Sequence, residues 1–122
     1  MPNATDDLQL ALDAMRDGVA LWTADGRLLV CNRAAGDLMR APAELIRPGV
    51  MRADVMTFFA ERGDYGPTDD PARTARELSD RFGRGEITGL PRTLPDGRVV
   101  QADARLLPDG RSLVIYRELA AT

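Results

Sequence analysis

The sequence predicts one α+β domain of 122 residues, built as a five-stranded antiparallel sheet with helices packed on one face and an amphipathic helix at the N-terminus. Three observations predict it. The tetrapeptides Ala24-Asp25-Gly26-Arg27, Pro95-Asp96-Gly97-Arg98 and Pro108-Asp109-Gly110-Arg111 each lie between apolar runs and read as hairpin turns. An Asp-Gly pair suits the two-residue type I′ connection, which needs positive φ at both central positions. The stretch between the first turn and the other two is helical in pattern, so an early strand pair must join three late strands across it.

Taken in order, Leu8, Ala11, Leu12 and Met15 recur at helical spacing and predict a first helix, with Asp6 and Gln9 as a capping box and Gly18 as its stop. The stripe is narrow, which suits either packing on the outer face of the sheet or pairing with a second copy. Strands follow over 19–23 and 27–32. Both are apolar on both faces, so each side of this hairpin needs a cover.

Asn32 is placed to cap a short helix over 33–39, and 42–46 forms another short helical piece. Met51, Val55, Met56, Phe58 and Phe59 mark a more apolar helix ending near Gly63, the expected lid of the core. Asp70-Pro71 opens the next helix as N-cap and first position. Its apolar face is thin, which places it on the surface, with Glu77 and Arg81 in the favourable i, i+4 order. Strands are expected over 87–94, 98–107 and 111–119. In the middle one Val100, Ala102, Ala104 and Leu106 point to the core; the last, apolar on both sides, reads as central.

Composition excludes several chemistries. The 16 basic residues are all arginine, the formal charge is −3, and acidic and basic residues interleave. No basic stripe exists to follow a nucleic acid or an anionic membrane. Histidine is absent, which excludes a histidine-ligated haem, histidine-based nucleophile systems and the common zinc sites. With one cysteine, Cys31, no internal disulfide can form; the polar start and the lack of a long apolar run make the cytoplasm the expected location. Cys31 reads as a small apolar strand residue rather than a reactive thiolate. The acidic residues Asp64, Asp69 and Asp70 lack the spacing of a calcium loop.

The segment from Asp17-Gly18-Val19-Ala20-Leu21-Trp22 to Asn32-Arg33-Ala34-Ala35 resembles the opening strands of a PAS domain. Glu61-Arg62-Gly63-Asp64-Tyr65-Gly66 and Leu94-Pro95-Asp96-Gly97-Arg98 resemble a PAS subgroup of bacterial sensor histidine kinases and diguanylate cyclases. The resemblance covers about residues 6–119. It divides the chain into a helical cap (1–17), a PAS domain (18–119) and the start of an output linker (120–122). Two departures stand out. Glu118-Leu119-Ala120 replaces the Asp-Ile-Thr triplet with which such domains end, and Cys31 precedes Asn32 at a strand end instead of lying in a helical Asn-Cys-Arg flavin motif, so flavin is disfavoured.

What the resemblance implies is a regulatory module, not an enzyme, in a two-component or phosphorelay protein, a homodimer biasing an output domain such as a histidine kinase. Leu8, Leu12 and Met15 are the expected subunit contact. Met39, Met56 and Phe59 are the expected walls of a pocket for a small apolar ligand, and Tyr116 and Glu118 the output end. Against the pocket stands the reading that the Met and Phe side chains and Trp22 fill the core, which the size of the domain favours. The cofactor stays unassigned. A ligand-free dimerisation scaffold is the rival reading; a small enzyme of the nuclear-transport-factor type would need a buried Asp or His pair that the sequence does not offer.

Overall fold

A computed structural model describes residues 4–119. The elements run α1 (Ala4–Asp13), β1 (Gly18–Trp22), β2 (Leu28–Cys31), α2 (Arg33–Met39), a single 3₁₀ turn (Ala43–Leu45), α3 (Arg52–Arg62), α4 (Pro71–Gly83), β3 (Ile87–Thr93), β4 (Val99–Leu106) and β5 (Ser112–Glu118). The five strands form one sheet in the order β2-β1-β5-β4-β3, antiparallel throughout. The early hairpin therefore joins the late strands through β1 and β5, and the last strand is central as expected.

The three turns are hairpins of a different type from the one predicted. Glycine alone takes positive φ, at 88° for Gly26, 92° for Gly97 and 91° for Gly110, while the aspartates before them do not. Gly26, Gly97 and Gly110 donate their N–H to Thr23 O, Leu94 O and Leu107 O at 2.9–3.0 Å, so each loop is a type I turn closed by a left-handed glycine. The motif residues share the work. Pro95 and Pro108 supply the fixed φ of the first turn position, and Asp96 and Asp109 accept from the Arg98 and Arg111 N–H at 3.1 Å.

Cross-strand register divides the sheet faces. Gly18, Ala20 and Trp22 of β1, Ser112, Val114 and Tyr116 of β5 and Val100, Ala102 and Ala104 of β4 are buried on the inner face. Beneath α2, α3 and α4 they join Leu38, Met39, Val55, Met56, Phe59, Leu78 and Phe82 in one core. The outer face carries a half-buried stripe in which Val30 faces Leu21, Leu21 faces Leu113 and Val19 faces Ile115, with Gln101, Asp103 and Arg105 of β4 beside it.

Several local expectations are corrected. The first helix starts at Ala4, which places Asp6 and Asp7 inside its first turn, where carboxylates suit the positive end of the dipole, so that Asp6 is not the N-cap of a box with Gln9. Gly18 does not stop that helix but opens β1. A Cβ built there would lie 2.8 Å from Ala35 Cα, so α2 crosses the strand too closely for any side chain. The helix α4 is more than a surface element, since Ala75, Leu78, Ser79 and Phe82 form a buried stripe. Its Glu77 pairs with Arg73 (3.1 Å) instead of Arg81. Leu106, at the end of β4, is exposed instead of pointing to the core. The caps at Asn32 and Asp70 form as expected, each side chain accepting an N–H three residues on at 3.0 and 3.1 Å.

Candidate functional site

The strand β3 lies at a sheet edge, a position that tolerates Pro91. Its register with β4 slips between Ile87 and Leu90, and Gly89 within the slip has a φ of 64°. This bulge carries Leu90 and Arg92 to the inner face, where Leu90 opposes Ala102 and Arg92 opposes Val100. Between β3 and α4 lies a depression of about 380 Å³. Tyr65, Leu78, Leu90 and Pro91 form its apolar walls, and Thr74, Glu77 and Arg81 stand along the α4 side.

Beneath Tyr65 lies a buried charged network. The Tyr65 ring meets Phe59 edge-on at 6.4 Å, and the Arg92 guanidinium sits 4.0 Å from the centre of the Phe59 ring. Arg92 Nη1 donates to Asp64 Oδ2 (2.8 Å), as does Arg62 Nη2 (2.6 Å), while Arg62 Nε donates to Asp64 Oδ1 (2.9 Å). One carboxylate thus serves two guanidinium groups. The surplus positive charge meets the carbonyl end of α2: Arg92 Nη2 donates to Leu38 O, Arg62 Nη2 to Met39 O and Arg62 Nη1 to Arg40 O. Burying this network removes charges from water, and every donor named here has an acceptor, which is the condition for such a cluster to be tolerated.

A second buried arginine is held differently. Arg52 Nε donates to Ser79 Oγ (3.0 Å) and Nη1 to Ser112 Oγ (3.2 Å), and the guanidinium lies 5.6 Å from the centre of the Trp22 ring. Burial lowers its pKa, with Tyr116 and Asp80 acting in the opposite sense. A side chain at Gly83 would strike Arg52 Nη2 at 2.8 Å, so glycine there leaves room for the guanidinium. This arginine ties the start of α3 to the end of α4 and to the central strand. Both tyrosines titrate late for the same reason: burial raises Tyr65 above the usual phenol range and pushes Tyr116 up to about 12, each against the field of Arg92.

A family model described as the PAS fold matches residues 12–122. The chain belongs to the PAS family. A curated relative, the non-motile and phage-resistance protein of Caulobacter vibrioides, is 32% identical over 101 residues, which cover 81% of this chain and 12% of that protein. The chain therefore spans about an eighth of the length of the relative it matches. Among solved structures, a domain of a sensory box sensor histidine kinase/response regulator from Geobacter sulfurreducens superposes with a TM-score of 0.56 at 23% identity, covering 93% of this chain and 92% of that one. The photoactive yellow protein domain of the sensor histidine kinase Ppr from Rhodospirillum centenum gives 0.52 at 18% identity, covering 95% and 99%. These likenesses establish the fold.

Within the PAS domain, Met39, Met56 and Phe59 stand together in the core; Phe59 touches the network under the depression through its ring and Met39 through its carbonyl oxygen. Leu8 (65% exposed) and Met15 (44%) lie at the surface of the N-terminal segment, with Leu12 half-buried and Leu10 also exposed. The helix α1 reaches the domain body through polar contacts: Gln9 Nε2 donates to Cys31 O (3.3 Å), Asn32 Nδ2 to Leu12 O (2.7 Å) and Arg33 N to Asp13 Oδ1 (2.8 Å). Tyr116 is buried on the inner face of β5. Glu118 is exposed and accepts from Arg98 Nη1 (3.2 Å). Residues 120–122, assigned to a linker, lie outside the described residues.

Of the acidic residues considered for a cation, Asp64 is engaged by two arginines and Asp70 caps α4. No group of three or more His, Cys, Asp or Glu side chains that could hold a metal ion gathers among the described residues. Sequence reasoning missed Arg52, Arg62 and Arg92. The available signal was Gly89, a lone glycine in a strand pattern, which marks a bulge and so the change of face that buries Arg92.

Proposed function

We propose that this PAS domain is the sensory module of a bacterial signal-transduction protein, most simply a sensor histidine kinase. A small ligand and the pairing of two copies bias an attached output domain. The observation that carries the reading is the family match to a chain that makes up only 12% of its relative, the proportion of one module in a multidomain protein. The sensor kinase origin of the structural neighbours supports it. In this reading the helical cap (1–17) carries Leu8, Leu12 and Met15 at the subunit contact. Met39, Met56 and Phe59 surround the ligand-responsive interior, and Tyr116 and Glu118 lead to the linker (120–122). The location is cytoplasmic.

The mechanism is a two-state one, in which occupancy changes the relative stability of two arrangements of the sheet and its terminal segments. A ligand-free dimerisation scaffold is the second reading. The near-complete burial of Met39, Met56 and Phe59 favours it, since these side chains already fill the interior. Native mass spectrometry of the purified protein, together with its mass in solution, separates the two. A bound small molecule on a dimer supports sensing; a bare dimer supports scaffolding. A monomer whose mass Leu8→Asp and Leu12→Asp leave unchanged removes the subunit contact.

A further inference from the structure

We infer that the depression between α4 and β3 binds a small amphipathic carboxylate, its apolar body against Tyr65, Leu78 and Leu90 and its carboxylate at the Arg81 guanidinium. The assignment rests on the sensory reading and adds the place and the chemical class of the ligand.

Charge placement along α4 carries it. Two carboxylates could neutralise Arg81, and both are engaged elsewhere: Glu77 pairs with Arg73 Nε at 3.1 Å, and Glu86 with Arg84 Nε at 3.1 Å. Arg81 retains one contact, from Nη2 to the Glu86 carbonyl at 3.5 Å, at the long limit for a hydrogen bond. Among the described residues it forms no ion pair, so an exposed cation stands at the rim of an apolar-walled depression. A carboxylate gives a guanidinium a charge-assisted, bidentate partner, and a ligand lacking an apolar body would leave the walls unused. The Glu77 carboxylate also faces the depression, and Arg73 offsets its repulsion of an anion.

The size fits. A volume of about 380 Å³ is at the small end of ligand pockets, suited to an aromatic or short-chain acid and too small for a nucleotide or a flavin. The floor gives occupancy a consequence. Tyr65 rests on Phe59, Phe59 on Arg92, and Arg92 holds Leu38 O at the end of α2, so a body pressed on Tyr65 bears on the network joining β3, α3 and α2.

The test is a titration of the 122-residue protein with phenylacetate and hexanoate, followed by backbone amide NMR shifts. Phenylacetamide and hexanamide serve as neutral isosteres and acetate as a carboxylate without a body. The expected result is saturable shifts centred on Leu78, Arg81 and Leu90 with the two acids. The amides bind at least tenfold more weakly, and acetate does not saturate. Arg81→Gln removes the difference between acid and amide without moving amide binding, and Arg81→Lys restores part of it. Equal binding of acid and amide, or shifts centred elsewhere, overturns the assignment. The latter outcome leaves a sensory role intact at another site, whereas a protein in which no class of small molecule moves any amide fails both readings.

Discussion

Replacement of Gly18 by alanine tests the packing that positions α2. The φ of Gly18 is not in the left-handed region, so conformational freedom does not explain the glycine. Close approach does: the added Cβ would lie 2.8 Å from Ala35 Cα, 3.0 Å from Ala35 N and 3.2 Å from Ala35 Cβ, inside the 3.4 Å at which ordinary contact begins. Two of the three obstructing atoms are backbone, so no rotamer change relieves the clash and the helix itself must recede. Asn32 opposes that movement, since its side chain caps α2 while also accepting from Val19 N at 2.9 Å. Overpacking typically costs about 1–3 kcal/mol, and a clash with backbone belongs at the upper end. For a domain of this size that is a fall of about 10 °C in melting temperature. Gly36→Ala is the internal control. It lies in α2, where its Cβ would meet only Ile46 Cδ1 at an ordinary 3.5 Å, and removing a helical glycine should raise stability by about 0.5–1 kcal/mol. Circular dichroism melts of the two variants and the parent measure both signs. A Gly18→Ala melting temperature within about 2 °C of the parent refutes the argument, since it means that α2 can move off β1 at almost no cost.

Three further predictions follow from the buried groups. Asp64→Asn leaves the buried Arg92 and the half-buried Arg62 without their counter-charge and should cost about 3–5 kcal/mol by urea unfolding, whereas Asp69→Asn at an exposed site should change little. In the folded protein the phenolate absorbance of Tyr116 should appear only near pH 12, against an ordinary value of 10.0. Because the unfolded chain releases these protons first, stability should fall as pH rises through that interval; phenolate formation near pH 10 with the fold intact would contradict the burial. The Cys31 thiol, raised above 9.0 by burial and by Asp13, should react with iodoacetamide more slowly than the same thiol in urea at pH 8. Equal rates in the two states would show the thiol to be open to solvent.

The fold was legible in the sequence because its strongest signals are local. Turn chemistry at the three Asp-Gly-Arg sites placed the hairpins, even though three-residue loops stand where two-residue ones were expected. That error has a physical source: Asp-Gly serves both turn types, and only the φ of the aspartate distinguishes them. Caps at Asn32 and Asp70 and the stop at Gly63 were equally local, and they hold. The candidate site depended on long-range placement and was much less legible. Arg62, Asp64 and Tyr65 lie in the segment that carried the family resemblance, yet Arg92, which pairs with Asp64, is distant in sequence and is brought there by the bulge in β3, and the α2 carbonyls that Arg62 and Arg92 hold are distant as well. For α4, a count of apolar residues missed that Ala75 and Ser79 are small enough to be buried beside Leu78 and Phe82. Its ion pairing turned the other way because Arg73 and Arg81 both stand four residues from Glu77, a choice that sequence spacing leaves open.

The pairing of β1 with β5 has a consequence for the birth of the molecule on the ribosome. Trp22 meets Ser112 across about 90 residues of chain, and at about 5–20 residues per second the first hairpin waits several seconds for its neighbour to emerge. A lone two-stranded ribbon is marginal in water, so during that wait the edge of β1 is an open template for any other nascent strand. Vectorial synthesis therefore cannot complete this sheet from its start, and its closure waits until β5 has emerged.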